Sequence, residues 1–380
     1  MQILIAPNAF KNSLAADKVA DAIAEGLQQS NLSAVLHRFP VGDGGDGTAQ
    51  LLIQHRKGKL ISAEAHDALG REIISSFGLI DNGRTAVIEM ANASGLRLLQ
   101  STELNPLDAT SLGTGELMIH ALNSGVNKII LCIGGSATVD GGVGILQALG
   151  FRFLNNKNEE LNHVPGTLAQ LNSIDFSAHD KRLDHCKIIV LCDVDNTLLG
   201  KQGAANVFGP QKGANPADVK KLESSLMQLS KIVFQQAGKD MSTVQHGGAA
   251  GGVAAGLWAF LDAELVNGID YFLSITGFDE ILEKADLVIT GEGSIDIQTL
   301  NGKGPYGVAK KAKEKRKFVI GLAGKIQTGV PALSEYFDVL LPINNEPMDI
   351  ESTLLNTKKN LVRTSQTLGN LIDLARRINI

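Results

Sequence analysis

Residues 2–28 read QILIAPNAFKNSLAADKVADAIAEGLQ, and this stretch sets the fold class. Gln2 to Ala6 is an apolar run of strand length. After the loop PNAFKN the period changes. From Ser13, a natural N-cap with Asp17 in the first turns, Val19, Ala20, Ile23 and Leu27 recur on one helical face. A buried strand feeding an amphipathic helix is half of a βαβ unit. The other half follows as an apolar run from Ala34 to Phe39, the loop PVGDGGDGT, and a helix from about Thr48.

The same rhythm returns near the C-terminus. ADLVIT (285–290) reads as a buried strand ending in the loop GEGSIDIQTLNGKG. A Lys- and Ala-rich helix leads to KFVIG (317–321), then FDVLLPI (337–343). A last amphipathic helix carries Leu361, Leu368, Leu371, Ile372 and Leu374. Such strands, linked by helices, predict an α/β fold with a doubly wound parallel sheet, flavodoxin- or Rossmann-like. The middle has a different texture: TAVIEM (85–90), KIILCIGGSATVDGGVGILQALG (128–150), KIIVLCDVD (187–195) and GGAAGGVAAGLWAFLDAEL (247–265). Two similar ends around a distinct middle predict a discontinuous domain, residues 1–60 and 283–380, with an α/β domain inserted over 61–282. A chain of 380 residues also exceeds what one core usually organises.

Charge and composition narrow the function. A net charge of −5 gives no electrostatic term favouring nucleic acid. The one basic run, Lys310, Lys311, Lys313, Lys315, Arg316 and Lys317, reads as a solvated helix end whose cations complement the dipole. Cys132, Cys186 and Cys192 form no CxxC pair, so neither a disulfide framework nor a zinc site is expected, as suits a reducing cytoplasm. The histidines lack HxxH or HxxxH spacing. MQILIAP has no basic start or long apolar region, so no signal peptide is read there, and no stretch reaches membrane-spanning length. No apolar stripe marks an interface, which leaves the oligomeric state open.

Five loops combine Gly, small hydroxyl and acidic residues after an apolar strand, where ligands bind in open α/β sheets. In IAPNAFKNSLAADKV, Lys11 and Ser13 precede a helix, an arrangement suited to phosphate or carboxylate, or simply to a capped surface helix. VGDGGDG places Gly42, Gly44 and Gly47 in GxGxxG spacing. Pro40 interrupts the preceding strand, however, and Asp43 and Asp46 would repel a pyrophosphate. Two carboxylates on a Gly frame suit Mg2+ or a substrate hydroxyl better. In GGSATVDGGVG, Gly134, Gly135, Ser136 and Thr138 can offer N–H and hydroxyl donors to phosphate, the alternative being a structural turn. IIVLCDVDNTLLG resembles the first motif of haloacid-dehalogenase-type phosphotransferases, with Asp193 as nucleophile, Asp195 as acid/base and Thr197 in support. That motif normally starts its fold, whereas here it lies at mid-chain. In ITGEGSIDIQTLNGKG, Glu292, Asp296 and Lys303 fit a Mg2+–phosphate site or a solvated acidic turn.

Taken in order, IAPNAFKNSL, PVGDGGDGT, TSLGTGEL, GGSATVDGG, CDVDNTLLG, FGPQKGA, GAAGG and TGEGSID with its GKG resemble the glycerate kinase type 1 family. The resemblance runs from residue 3 to about 304. It accounts for the phosphatase-like string, because CDV-x-N is this family's own motif, and Asp195 and Thr197 stand where members often differ. Asn8 stands where many members carry Asp, and Asp46 replaces a more usual Glu. The resemblance implies a bacterial glycerate 2-kinase activity: phosphoryl transfer from ATP, with Mg2+, to D-glycerate, giving 2-phosphoglycerate, with 3-phosphoglycerate the other possible product. It also implies two α/β domains with the active site in the cleft between them.

Phosphoryl transfer asks for positioning and charge neutralisation. On that basis Gly134, Gly135, Ser136, Thr138 and Lys212 are assigned to ATP phosphates, and Asp193 and Glu292 to Mg2+. Asp43 is the candidate base, with Asp296 second; Lys11, Ser13 and Lys303 are assigned to substrate, and Lys11, also a catalytic candidate, and Lys303 would hold its carboxylate or steady the transferring phosphoryl. Two other readings stay open at this point: an aspartyl-phosphate phosphatase using Asp193, and a non-catalytic nucleotide or small-acid sensor.

Overall fold

Apolar runs from the two ends of the chain meet in one sheet. The computed structural model describes residues 1–162 and 164–378. Its strands are β1 Gln2–Ile5, β2 Val35–Arg38, β3 Lys59–His66, β4 Glu72–Ile80, β5 Thr85–Glu89, β6 Lys128–Cys132, β7 Arg152–Leu154, β8 Ser173–Asp175, β9 Lys187–Cys192, β10 Glu264–Asn267, β11 Leu287–Ile295, β12 Phe318–Ile326 and β13 Val339–Pro342. β1 runs parallel to both neighbours, with Ile3 in register with Leu287 on one side and Leu36 on the other. The chain divides into two compact units, Met1–Asp43 with Gly268–Ile380, and Gly44–Asn267.

The first unit holds a five-stranded parallel sheet in the order β13-β12-β11-β1-β2. Counted within the unit this is the 2-1-3-4-5 order of a flavodoxin-like doubly wound sheet, whose winding reverses between β1 and β11. Ile3, Ile5, Ile289 and Leu322 pack with Val19, Ile23 and Leu27 of the helix Ala16–Gln28 and Leu361 of the helix Thr357–Arg377. Each such side chain contributes about 1.5–3 kcal/mol by leaving water. The two helices touch closely at Gly26, where a Cβ would lie 2.2 Å from the Val362 carbonyl oxygen.

Two local readings change. The first helix begins at Ala16 with Ala15 as its N-cap, because the Ser13 hydroxyl is taken up by the Leu354 carbonyl at 2.7 Å. β11 also runs on past Thr290 through GEGSI to Ile295. Gly291 permits this, since a Cβ there would come 2.1 Å from the carbonyl oxygen of its register partner Leu322. Glu292 therefore stands on a strand and not in a loop.

The second unit holds a six-stranded sheet in the order β10-β9-β6-β5-β4-β3, parallel from β10 to β5 and antiparallel at β4 and β3. β7 and β8 form a separate antiparallel pair. Ile88, Leu131 and Val190 join Leu117, Leu146, Leu229 and Val253 in its core. The junctions fall at 43/44 and 267/268, where the sequence placed them at 60/61 and 282/283. The helix Thr48–His55 packs on β4 and β5, and the helices Gly268–Ile275 and Phe278–Lys284 pack with the first unit. An amphipathic pattern shows that a helix has a buried face, not which sheet it will cover.

The basic run ends the helix Gly304–Glu314 and is matched by acids: Lys311 by Asp279, Lys313 by Asp338 and Lys315 by Glu283. Among the described residues no helix is long and apolar enough to cross a membrane.

Candidate active site

In the first unit, charged groups gather where the winding of the sheet reverses. Asn8 follows β1, Asp43 follows β2, Glu292 stands on β11, and Lys303 is the N-cap of the helix Gly304–Glu314. Asp43 is buried, and its Oδ2 accepts the Asn8 amide at 2.7 Å and the Gly304 backbone N–H at 3.2 Å. The amide is oriented in turn, since Asn8 Oδ1 accepts the Ala9 N–H at 2.8 Å. Asp43 thus sits at a helix N-terminus, a position that favours anions. Glu292 is buried too, and accepts the Thr299 hydroxyl at 2.9 Å. Burial, with Asp43 adding to it, pushes its carboxyl up to about 7, against the pull of Lys303 and Lys11. The result is two carboxylates and two lysines in mutual electrostatic reach at the ends of adjacent strands.

Asp296 is used differently. It caps the short turn Ile297–Asn301, accepting the Gln298 N–H at 2.9 Å, and it also takes the Ser294 hydroxyl at 3.2 Å. Lys11 is exposed on its turn.

In the second unit the carboxyl ends of β5, β6 and β9 carry interlocked loops. The Gly134 N–H donates to the Gly44 carbonyl at 3.0 Å, and a Cβ on Gly135, whose φ is +72°, would lie 2.2 Å from Asp46 Oδ1. Glu89 ends β5 and accepts the Gly47 N–H on both oxygens at 3.0 Å and the Ala49 N–H at 3.2 Å. Burial pushes its carboxyl above the usual range, with Arg97 opposing at 3.4 Å. It holds the VGDGGDG loop against the start of the helix Thr48–His55.

Behind the Gly134–Thr138 loop lies Lys212, 3% exposed. Its ammonium donates to Ser136 Oγ at 2.8 Å and to the Thr138 carbonyl at 2.7 Å. Burial drives this amine down to about 7, with Asp140 opposing. Asp140 is fully buried and accepts from Ser111 N–H and Oγ, Gly142 N–H and Gly144 N–H, which anchors the far end of the loop. The buried Thr138 hydroxyl has no hydrogen-bond partner among the described residues.

Asp193 follows β9, half-buried. Asp195 is exposed and faces His246 Nδ1 at 3.1 Å, while the Thr197 hydroxyl donates to the Leu199 carbonyl at 3.0 Å. The 247–252 loop closes over both neighbours: Cβ atoms on Gly248 and Gly251 would lie 2.2 Å from Thr197 O and 2.1 Å from Thr138 O. Among the described residues no three His, Cys, Asp or Glu side chains gather as a metal cluster.

The sequence matches the glycerate kinase family over residues 3–373. It is 42% identical over 377 residues to a glycerate kinase of Bacillus subtilis, covering 99% of both chains. It is 40% identical over 378 residues to the glycerate 2-kinase of Escherichia coli, again covering 99% of both. A crystal structure from Salmonella typhimurium LT2, assigned as a glycerate kinase 2, superposes with a TM-score of 0.84 at 40% identity and 99% coverage of each chain. The chain belongs to the glycerate kinase family. It is therefore an enzyme, a kinase, and neither the phosphatase nor the sensor reading holds. The fold agrees, since the Asp193 motif sits at mid-chain with Asp195 turned to His246 and Thr197 to its own loop.

Measured against this glycerate kinase fold, Lys11, Asp43, Glu292 and Lys303 come together in the first unit, and Gly134, Gly135, Ser136, Thr138 and Lys212 in the second. Ser13 lies near them in sequence, but its hydroxyl is directed at Leu354. Two residues were missed. Asn8 was passed over because an amide cannot act as a base, although it can orient one. Glu89 was hidden in TAVIEM, which reads as an ordinary buried strand; an acid at the carboxyl end of a parallel strand was the available signal.

Proposed function

We propose that this glycerate kinase family enzyme transfers the γ-phosphoryl group of ATP to the 2-hydroxyl of D-glycerate, giving 2-phosphoglycerate and ADP. The observation that carries the assignment of the base is the buried Asp43 carboxylate, oriented by Asn8 and Gly304 beside Lys303 and Glu292. The choice of the 2-hydroxyl draws on the glycerate 2-kinase of Escherichia coli, related over 99% of both chains.

Asp43 accepts the hydroxyl proton as the oxygen bonds to the γ-phosphorus and the bond to the bridging β–γ oxygen breaks, releasing ADP. Lys11 and Lys303 supply positive charge for the glycerate carboxylate, Lys303 from a helix N-terminus. Asp296, occupied with capping its own turn, is the weaker base. The Gly134–Thr138 loop receives ATP phosphates. Gly135 supports this, as the exposed residue of the loop, where backbone can approach a phosphate.

Mg2+ needs only one or two carboxylates besides phosphate oxygens and water. Glu292, a buried carboxyl crowded by Asp43, is the candidate for the cation in the first unit, and Asp193 the candidate in the second. When bound, the ion neutralises charge on the phosphate oxygens. The three free thiols suit a reducing compartment, and we place the enzyme in the cytoplasm.

The test is to incubate the enzyme with ATP, Mg2+ and a panel of small hydroxy acids while following ADP formation. Turnover confined to glycerate is expected; turnover with another acid and none with glycerate would refute the assignment.

A further inference from the structure

We propose that Lys212 is a positioning residue for nucleotide binding: it holds the Gly134–Thr138 loop in its phosphate-receiving shape from behind, through Ser136 and Thr138, and does not itself touch the nucleotide. This rests on the reading of that loop as the phosphate site.

The geometry begins with FGPQKGA. Pro210 opens a single turn, Pro210–Lys212, in which the Lys212 N–H donates to the Gly209 carbonyl and the Gly213 N–H to Pro210. Gly213 leaves the turn at φ +100°, and a Cβ there would strike the Leu104 carbonyl oxygen at 2.3 Å. The turn is thereby pressed against its neighbours, and the lysine stem runs inward. An ammonium this deeply buried stands only where fixed acceptors meet it. The acceptors are Ser136 Oγ and the Thr138 carbonyl, the two ends of Ser-Ala-Thr. A bond to each fixes the curvature of the loop between them. The nearby acid, Asp140, is saturated by four donors from Ser111, Gly142 and Gly144. Lys212 is thus tied to the loop and not into an ion pair. With Lys212 and Ser136 only 3% and 4% exposed, the lysine lies beneath the loop, not on its open side.

The test is a double-mutant cycle of Lys212→Met, Ser136→Ala and the pair, with KM for ATP, KM for glycerate and kcat measured on each protein. Met has a similar stem and no donor, and replacing a buried charge with an apolar side chain is often tolerated. General damage would lower kcat and leave both KM values in place. Positioning raises KM for ATP about tenfold or more in Lys212→Met, the loss expected for a charge-assisted hydrogen bond, with KM for glycerate within about twofold. Because both residues act through one contact, the double variant should be no worse than about twofold beyond Lys212→Met alone. Losses that multiply would overturn the proposal, as Lys212 would then act by a contact of its own. A rise in KM for ATP in Ser136→Ala with none in Lys212→Met would also overturn it while leaving the loop reading intact. No change in KM for ATP in any variant would overturn the proposal, and crystals with a non-hydrolysable ATP analogue showing no phosphate at the loop would remove the loop reading as well. Should Lys212→Met fail to fold, crystals with a non-hydrolysable ATP analogue decide the matter: a phosphate oxygen bonded to Lys212 Nζ overturns the proposal, and one bonded to the loop but not to Nζ supports it.

Discussion

The Asn8 amide donates to the Asp43 carboxylate at 2.7 Å, joining the ends of β1 and β2 in the first unit. Because Asn8 carries no proton-accepting group of its own, its part is to aim the carboxylate. Asn8→Ala should lower kcat about tenfold, less than the loss of Asp43 itself, and reduce stability by about 1–3 kcal/mol through the charge-assisted hydrogen bond lost from the buried carboxylate. Steady-state kinetics and a denaturant melt would show both effects.

Asp43→Asn keeps the shape and removes the base. kcat should fall about 10²–10⁴-fold, with the melting temperature little changed. A kcat within about threefold of the parent enzyme would move the base elsewhere, Asp296 being the first alternative.

Glu292 gives a pH signature in the protein free of nucleotide and metal. Its carboxyl is pushed from the ordinary 4.5 up to about 7, chiefly by burial. Below about 4.5 it is protonated in both folded and unfolded states and has no effect on folding. As pH rises the unfolded chain ionises first, so stability is lost through the window from 4.5 to about 7 and then levels off. The loss is on the order of 3 kcal/mol. Glu292→Gln should therefore melt close to the parent near pH 4.5 and above it at pH 8. A melting difference that does not vary with pH would contradict this.

Gly26→Ala tests the packing of the two long helices in the first unit. A Cβ 2.2 Å from the Val362 carbonyl oxygen must push backbone apart, at a cost of about 1–3 kcal/mol. Stability measured by urea should fall by that amount, with kcat of the folded enzyme unchanged.

These sites differ in how readily the sequence disclosed them. The doubly wound sheet was legible because strand and helix periods alternate cleanly at both ends. Glu292 and Lys303 were legible as charges on a Gly-rich stretch. Ser13 misled because a hydroxyl before a helix has the same local pattern whether it caps the helix or reaches Leu354, more than three hundred residues away. Asn8 and Glu89 were invisible for a related reason: their roles depend on Asp43 and on the Gly47 N–H, long-range partners that no local pattern encodes. The Lys212 motif could be recognised from its family likeness, but its burial beneath the loop appears only once the chain is folded.

The central claim is phosphoryl transfer to one hydroxyl of glycerate, and ³¹P NMR of the reaction tests it most directly. With ATP, Mg2+ and D-glycerate, the account predicts ADP and a single new phosphomonoester signal whose coupling to one methine proton places it on the 2-position. A signal coupled to a methylene, placing the phosphate on the 3-position, would contradict the proposed regiochemistry, and free phosphate without any ester would contradict the kinase reaction itself.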